Sequence, residues 1–492
     1  MMSSSELCYL TAIEALAMFR SRKLSPVELM RAVIERAEAS NGELTAFTFT
    51  FFEEALDLAR KAEARYAGGG ETGALEGLPV GIKDENWVAG KPTSFGTLIV
   101  GDYIADRTSP NNERIFQAGG IMHAKTTTPE YSITPYTNSR RWGVTRNPWN
   151  PAFTPGGSSG GAAASLAIGS STLAMGSDIG GSIRIPASTC GLVGYKPPYG
   201  RNPDDPPFHL DAYCHTGPLG RSVADVALLQ NVICGPHPQD ISTLSPKIEV
   251  TDRNRSVKDW KIAYSIDLGY FEVDDEVRRN TLAALDVFRS MGATLVEVDL
   301  GWTAACYEAA MAHLAHIFGT QMAELLPQHR GLMSPYTVDF AEAGARSTAG
   351  AFMRAMEESC RMYASFGPMI AAHDVFICPT TALPAVPADF DHSRDPVVIN
   401  GKPSPLTPPM LAWVMTTPFN TLSRCPVLAV PSGRASTGVP TGIQIVGKPY
   451  ADQDVFDAGF AYERALGGWF RAAEQRPAPG LGSARYARNA IV

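Results

Sequence analysis

Three residues form a set that could cleave an acyl bond. Lys83 ends the apolar run that begins at Leu78, and Ser158 and Ser182 each lie in a glycine-rich stretch. Acyl transfer from an amide needs a nucleophile, a group to take its proton, and donors facing the oxygen on which charge develops. Serine can supply the first. Lysine can supply the second once burial keeps it neutral. Ser182 lies in Asp178-Ile179-Gly180-Gly181-Ser182-Ile183-Arg184. The two glycines let the amides of Ile179, Gly180, Gly181 and Ser182 crowd around one point, an expected oxyanion hole. Ser158 lies in Pro155-Gly156-Gly157-Ser158-Ser159-Gly160-Gly161, ahead of an alanine-rich helix expected from Gly161 to Ile168. The first amides of that helix favour negative charge nearby.

Taken singly, each feature has a plainer reading. A serine in a glycine loop is ordinarily a turn residue, and a lone lysine is ordinarily a surface ammonium. Gly156-x-Ser158-x-Gly160 also fits the nucleophile elbow of α/β-hydrolases, which requires a late histidine. His373 and His392 are the last two, and neither sits in a motif. Gly156 to Gly161 lacks the Gly-Lys-Ser/Thr of a phosphate-binding loop. His313 and His316 share a helical face without a third ligand and read as packed or pocket-lining side chains.

The elements that must hold these residues alternate in type. Residues 1 to about 70 read as helical, with Ser25-Pro26-Val27-Glu28 as a capping box and a stop at Gly68-Gly69-Gly70. From Gly77, strand candidates (Leu78 to Ile82, Gly120 to Ala124, Val193 to Tyr195) alternate with glycine-rich turns. Residues 261 to 300 read as β-α-β, 302 to 372 as mostly helical, and Asp452 to Leu466 as the last helix. Phe376 to Pro379, Val427 to Pro431 and Gly442 to Val446 read as returning strands. The pattern predicts an α/β fold: one large domain over 1–492 with a twisted mixed sheet covered by helices on both faces. Within it, 1–70 is a helical segment, 77–225 the core, and 380–420 a proline-rich excursion near the pocket.

Composition narrows the partners. The net charge of -8 argues against nucleic acid and anionic membrane, which need a basic face. The eight cysteines are scattered and read as reduced thiols. No apolar run reaches the length of a membrane span, and no signal peptide is visible, so a cytoplasmic location is expected.

Joined in this order, the two glycine-serine stretches and Lys83 resemble the amidase signature family. Ser182 follows Ser158 by 24 residues, the family's spacing. Lys83-Asp84 resembles its lysine motif, Pro218 to Asp225 its Gly-Pro-x-x-Arg-Ser-Val-x-Asp segment, and Gly442 to Gly447 its C-terminal strand. Lys125 to Glu130 and Tyr195 to Gly200 depart from the usual wording. The resemblance implies a serine amidohydrolase. Ser182 would be the nucleophile, Ser158 a relay held by a cis Gly157-Ser158 peptide, and Lys83 the base. Ser159, Asp178 and Arg184 would support the network, with no metal and no cofactor. The expected substrate is a small uncharged aryl or alkyl amide, an ester or carbamate being allowed. Tyr131, Tyr136, Gly157, His316 and Trp413 are expected at the pocket, with Met311, Phe318 and Met415 adding apolar surface. A homodimer would be in keeping with such enzymes. The alternative is the ammonia-releasing component of a glutamyl-tRNA amidotransferase-like complex, its A chain.

Overall fold

Strand β2 (Pro79–Lys83) is buried at every position, as a strand covered on both faces must be. In the computed structural model, which describes residues 2–101 and 103–477, it lies within an eleven-stranded sheet. The other strands, in chain order, are β1 (Phe47–Thr50), β3 (Ile121–Thr126), β4 (Leu173–Ser177), β5 (Val193–Lys196), β6 (Thr216–Gly220), β7 (Lys261–Tyr264), β8 (Thr294–Glu297), β9 (Val375–Pro379), β10 (Val427–Arg434) and β11 (Pro440–Val446). Their spatial order is β1-β3-β2-β4-β6-β5-β10-β11-β9-β7-β8. The sheet is mixed: β3-β2-β4 and β9-β7-β8 run parallel, and the strands between them alternate.

Side-chain alternation along β4 shows why both faces are covered. Leu173 and Met175 pack with Leu16, Phe19, Leu29 and Val33 of the N-terminal helices Ala12–Arg20 and Pro26–Leu44. Ala174, between them, packs with Ala162, Ala163 and Leu166 of helix Gly160–Ile168. Alanine and glycine let that helix lie wholly buried against the sheet. The expected single-domain mixed α/β architecture is the one found.

Local expectations fared unevenly. The Ser25 capping box forms, the β-α-β unit is parallel, and the last helix spans Asp452–Leu466. The N-terminal segment is not all helix, because Phe47–Thr50 pairs with β3 as an edge strand. Strand β6 was unforeseen: its sequence Thr-Gly-Pro-Leu-Gly lacks a strand's pattern, yet every residue is buried between β4 and β5. The proline-rich stretch is only partly a surface excursion. Phe390 stacks edge-on to Tyr136, and Ala412 to Thr417 are fully buried.

Candidate active site

Parallel neighbours β2 and β4 are in register at Ile82 and Met175, so their carboxyl ends come out together. That edge is where open α/β sheets place their ligands. Lys83 ends β2 and Ser177 ends β4. Lys83 Nζ lies 2.7 Å from Ser158 Oγ and 2.7 Å from Ser177 Oγ. Glu85 Oε1 is 3.2 Å from the same nitrogen. Lys83 and Ser158 have no exposed surface. Burial lowers the Lys83 pKa, and the neighbouring Glu85 carboxylate opposes the shift.

Ser158 follows a cis peptide from Gly157. A side chain at Gly157 would meet Tyr136 N at 2.6 Å and Thr134 O at 2.7 Å, so only glycine allows the two segments to approach. Ser159 N donates to Ser182 O at 3.2 Å and ties the two glycine-serine stretches together. Ser182 is partly exposed, unlike Ser158 behind it.

The loop around Ser182 is built on Asp178. Its carboxylate accepts from Gly181 N (2.9 Å), Arg184 Nε (2.9 Å), Arg184 Nη2 (2.8 Å) and Asn420 Nδ2 (2.9 Å). Burial would raise the Asp178 pKa, but the Arg184 guanidinium and its hydrogen bonds outweigh it and hold the carboxyl well below the usual range. Arg184 in turn donates to Gln444 Oε1 (2.6 Å), Asn420 Oδ1 (2.7 Å) and Thr416 O (3.0 Å). This corrects one expectation. The Gly181 amide is taken by Asp178 and is not open to a ligand. The amides of Ile179, Gly180 and Ser182 have no hydrogen-bond acceptor among the described residues and remain open. Thr416 Oγ1 donates to Gly180 O at 2.5 Å and braces the turn from behind.

A cavity of 530 Å³ opens beside this group, with Glu85, Ser177 and Ile179 in its wall. Trp87, Phe95, Tyr131, Phe208 and Phe318 supply aromatic surface. Phe95 and Tyr131 stack with centroids 6.3 Å apart. Phe95, Tyr131 and Ser132 all have positive φ (51°, 50° and 59°), an unfavourable geometry for these residue types that gathers at this one wall. Glu85, Asp204, Asp205 and Glu324 also line the cavity, and among the described residues no lysine or arginine does.

Of the residues expected at the pocket, Tyr131 and Phe318 line this cavity. Tyr136, His316 and Trp413 do not. Tyr136 is buried among Tyr336 and Phe390, and Gly157 is packed against the backbone of Thr134 to Tyr136. His316 stacks on Phe352 and bonds Ser347 Oγ at 2.9 Å. Trp413 is fully buried in the core, because its neighbours fold inward rather than over the pocket. Met311 and Met415 are likewise outside the cavity lining. His313 pairs with Asp211 at 2.9 Å and stacks on Tyr213. Glu85, Ser177, Asn420 and Gln444 went unforeseen. The first two were findable, since Glu85 follows Lys83 by two residues and Ser177 directly precedes Asp178.

The Amidase family pattern matches residues 28–456. The chain is 33% identical over 491 residues to an acylamidase of Rhodococcus erythropolis, covering 98% of this chain and 99% of that one. It is 31% identical over 479 residues to the A chain of the glutamyl-tRNA(Gln) amidotransferase of Nostoc punctiforme, covering 90% and 95%. Among solved structures, a bacterial aryl acylamidase of the amidase signature enzymes superposes with a TM-score of 0.86 at 29% identity, covering 94% and 97%.

Proposed function

The chain belongs to the amidase family and is an amide-hydrolysing enzyme, and from that premise we propose that it works through an acyl-enzyme on Ser182. The observation that carries this reading is the fully buried Lys83 within 2.7 Å of Ser158. A lysine stripped of water is disposed to lose its proton, and a neutral amine can accept the Ser158 proton. Ser158 then takes the proton of Ser182 as Ser182 Oγ attacks the carbonyl carbon. The open amides of Ile179, Gly180 and Ser182 supply donors for the oxyanion. On collapse, the proton returns through Ser158 to the leaving amine. Water repeats the sequence on the acyl-enzyme and releases the acid.

The cavity supports a substrate with a flat or apolar group and no negative charge. Its aromatic wall offers stacking surface, while its ionisable lining is mostly carboxyl groups, with no lysine or arginine among the described residues. The similarity to the amidotransferase A chains favours a second reading, in which glutamine supplies ammonia to a partner. The α-carboxylate of glutamine would find no lysine or arginine among the described residues of this lining, which weighs against that reading.

The test is hydrolysis of nitroanilides, benzamide, a carbamate and glutamine by wild type and Ser182→Ala. Turnover of an aryl amide, lost in Ser182→Ala, is the expected result. Turnover of glutamine alone would install the second reading. An undiminished Ser182→Ala would remove Ser182 from its role.

A further inference from the structure

Glu85 lies two residues beyond the lysine and on the cavity wall, and the reaction as described leaves it unused. We propose that Glu85 is a positioning residue for the reaction: its carboxylate orients Lys83 and offsets the positive charge that Lys83 gains on accepting the serine proton. The inference rests on the reading of Lys83 as the base.

The geometry around Nζ carries it. A neutral amine has two hydrogens and one lone pair. The lone pair must face Ser158, whose proton it takes. One hydrogen then goes to Ser177 Oγ at 2.7 Å, and Glu85 Oε1, which has no hydrogen-bond partner among the described residues, lies 3.2 Å from Nζ as the neighbouring charge. After transfer the nitrogen is a cation with no access to water. An uncompensated buried charge is costly, and an anion in contact offsets that cost. Ser177 is a hydroxyl and carries no charge. Asp178 also acts on Lys83, but its carboxylate is already matched by Arg184. Asp204 acts on Lys83 too, and burial drives its carboxyl toward the neutral form. Glu85 itself faces Asp204, Asp205 and the Cys214 thiol, all of which burial shifts toward neutrality. Glu85 is therefore the nearest anion free to serve Lys83.

Its own placement is fixed. Ser132 Oγ donates to Glu85 Oε2, leaving Oε1 for the lysine. Ser132 and Tyr131 hold left-handed backbone to present that hydroxyl. The substrate wall and the base are thus joined through Ser132 and Glu85. In the step itself, Ser182 loses its proton to Ser158 and Ser158 loses its own to Lys83. The ammonium later returns the proton by the same path.

The test needs no knowledge of the natural substrate. A fluorophosphonate phosphonylates an activated serine, the P–O bond to serine forming as the P–F bond breaks and fluoride leaves, and its second-order rate is measured by intact mass from pH 5 to 10 on the full chain. Wild type, Glu85→Gln, Glu85→Asp, Ser132→Ala and Ser182→Ala are compared. Glu85→Gln is expected to lower the plateau rate by about tenfold or more. It should also move the midpoint of the acidic limb down by about one pH unit or more, because Lys83 loses the anion that favours its charged form. Glu85→Asp should restore part of both, and Ser132→Ala should shift both in the same direction by less. A wild-type plateau and limb in Glu85→Gln overturns the proposal, as does a lower rate with an unmoved limb. Should Glu85→Gln fail to fold, Ser132→Ala decides: a limb moved to lower pH supports the proposal and an unmoved limb overturns it. Labelling of Ser182→Ala at the wild-type rate would bring down the Ser182 reading. An inert Ser182→Ala beside a Glu85→Gln that behaves as wild type brings down only the role of Glu85.

Discussion

Residue by residue, the site depends on charges that are either matched or kept from forming. Asp178 and Arg184 are both fully buried and bonded to each other through two contacts. Removing one partner of such a pair leaves the other charged in a dry interior. Asp178→Asn is therefore expected to destabilise the protein by roughly 3–5 kcal/mol in urea unfolding. It should also lower activity sharply, because the new amide NH2 faces only donors, whichever way it turns, and the Ser182 loop loses its shape. A folded, stable variant with full activity would show that the loop holds without Asp178. The proposed proton path makes a graded prediction. Ser182→Ala should form no acyl-enzyme, whereas Ser158→Ala and Lys83→Ala should acylate slowly, a positioned base contributing about 10²–10⁴-fold. Rapid acylation of Ser182 in Ser158→Ala would remove the relay. These residues were readable in the sequence because glycine and serine at fixed spacing leave a pattern. Asn420 and Gln444 were not, since only the fold brings them to Arg184, from which they lie 236 and 260 residues away in the chain.

The elements were legible where one face alone is buried and hidden where glycine permits close contact. The β7-to-β8 unit, whose helix Asp275–Ser290 buries one face, follows periodicity, whereas β6 does not, because burial on both sides by neighbouring strands needs no alternation. The helices that wall the cavity show the same limit. A π-helical turn, Ala315–Gly319, carries Phe318 into the cavity and packs against helix Pro335–Ala345. Contact is closest at Gly344, where an added methyl would fall 1.9 Å from Gly319 C. Backbone cannot move aside as a side-chain tip can, so Gly344→Ala must part the two helices. The expected cost is about 1–3 kcal/mol by thermal or urea unfolding. The same displacement should raise KM for an aryl substrate more than it lowers kcat, since Phe318 shifts while Lys83 and Ser158 stay on the sheet. Equal loss in kcat, with KM unchanged, would mean that this helical wall does not meet the substrate. Glu130 pins the same helix by accepting from Ser334 N and Thr337 Oγ1, both at 2.6 Å, so the opening is confined to the far end of the contact.

For the molecule as a whole, the sheet that aligns the site also encloses ionisable groups that never meet water. His123, on β3, is fully buried; Nε2 lies 2.8 Å from Ser170 O, and Nδ1 has no hydrogen-bond partner among the described residues. Burial pushes its pKa down to about 4, from an ordinary value of 6.5. The sign follows from linkage. Between these two values the unfolded chain binds a proton that the folded chain refuses, so the stability linked to His123 rises with pH and is lost as pH falls from 6.5 toward 4. The carboxyls of Asp84 and Asp225, both raised to about 6 by burial, run the opposite way. They bind protons more readily when folded, so their share of stability grows as pH falls through the same range. The total pH dependence is thus a poor measure of any one group, and the useful quantity is the difference between wild type and a variant. His123→Gln keeps a donor for Ser170 O but cannot take up a proton. Its stability relative to wild type, from urea unfolding at several pH values, should improve by roughly 1 kcal/mol per pH unit as pH falls from 6.5 to 4. A constant difference across that range would mean that His123 is charged in the folded protein, and that the sheet beside Lys83 is wetter than its packing implies.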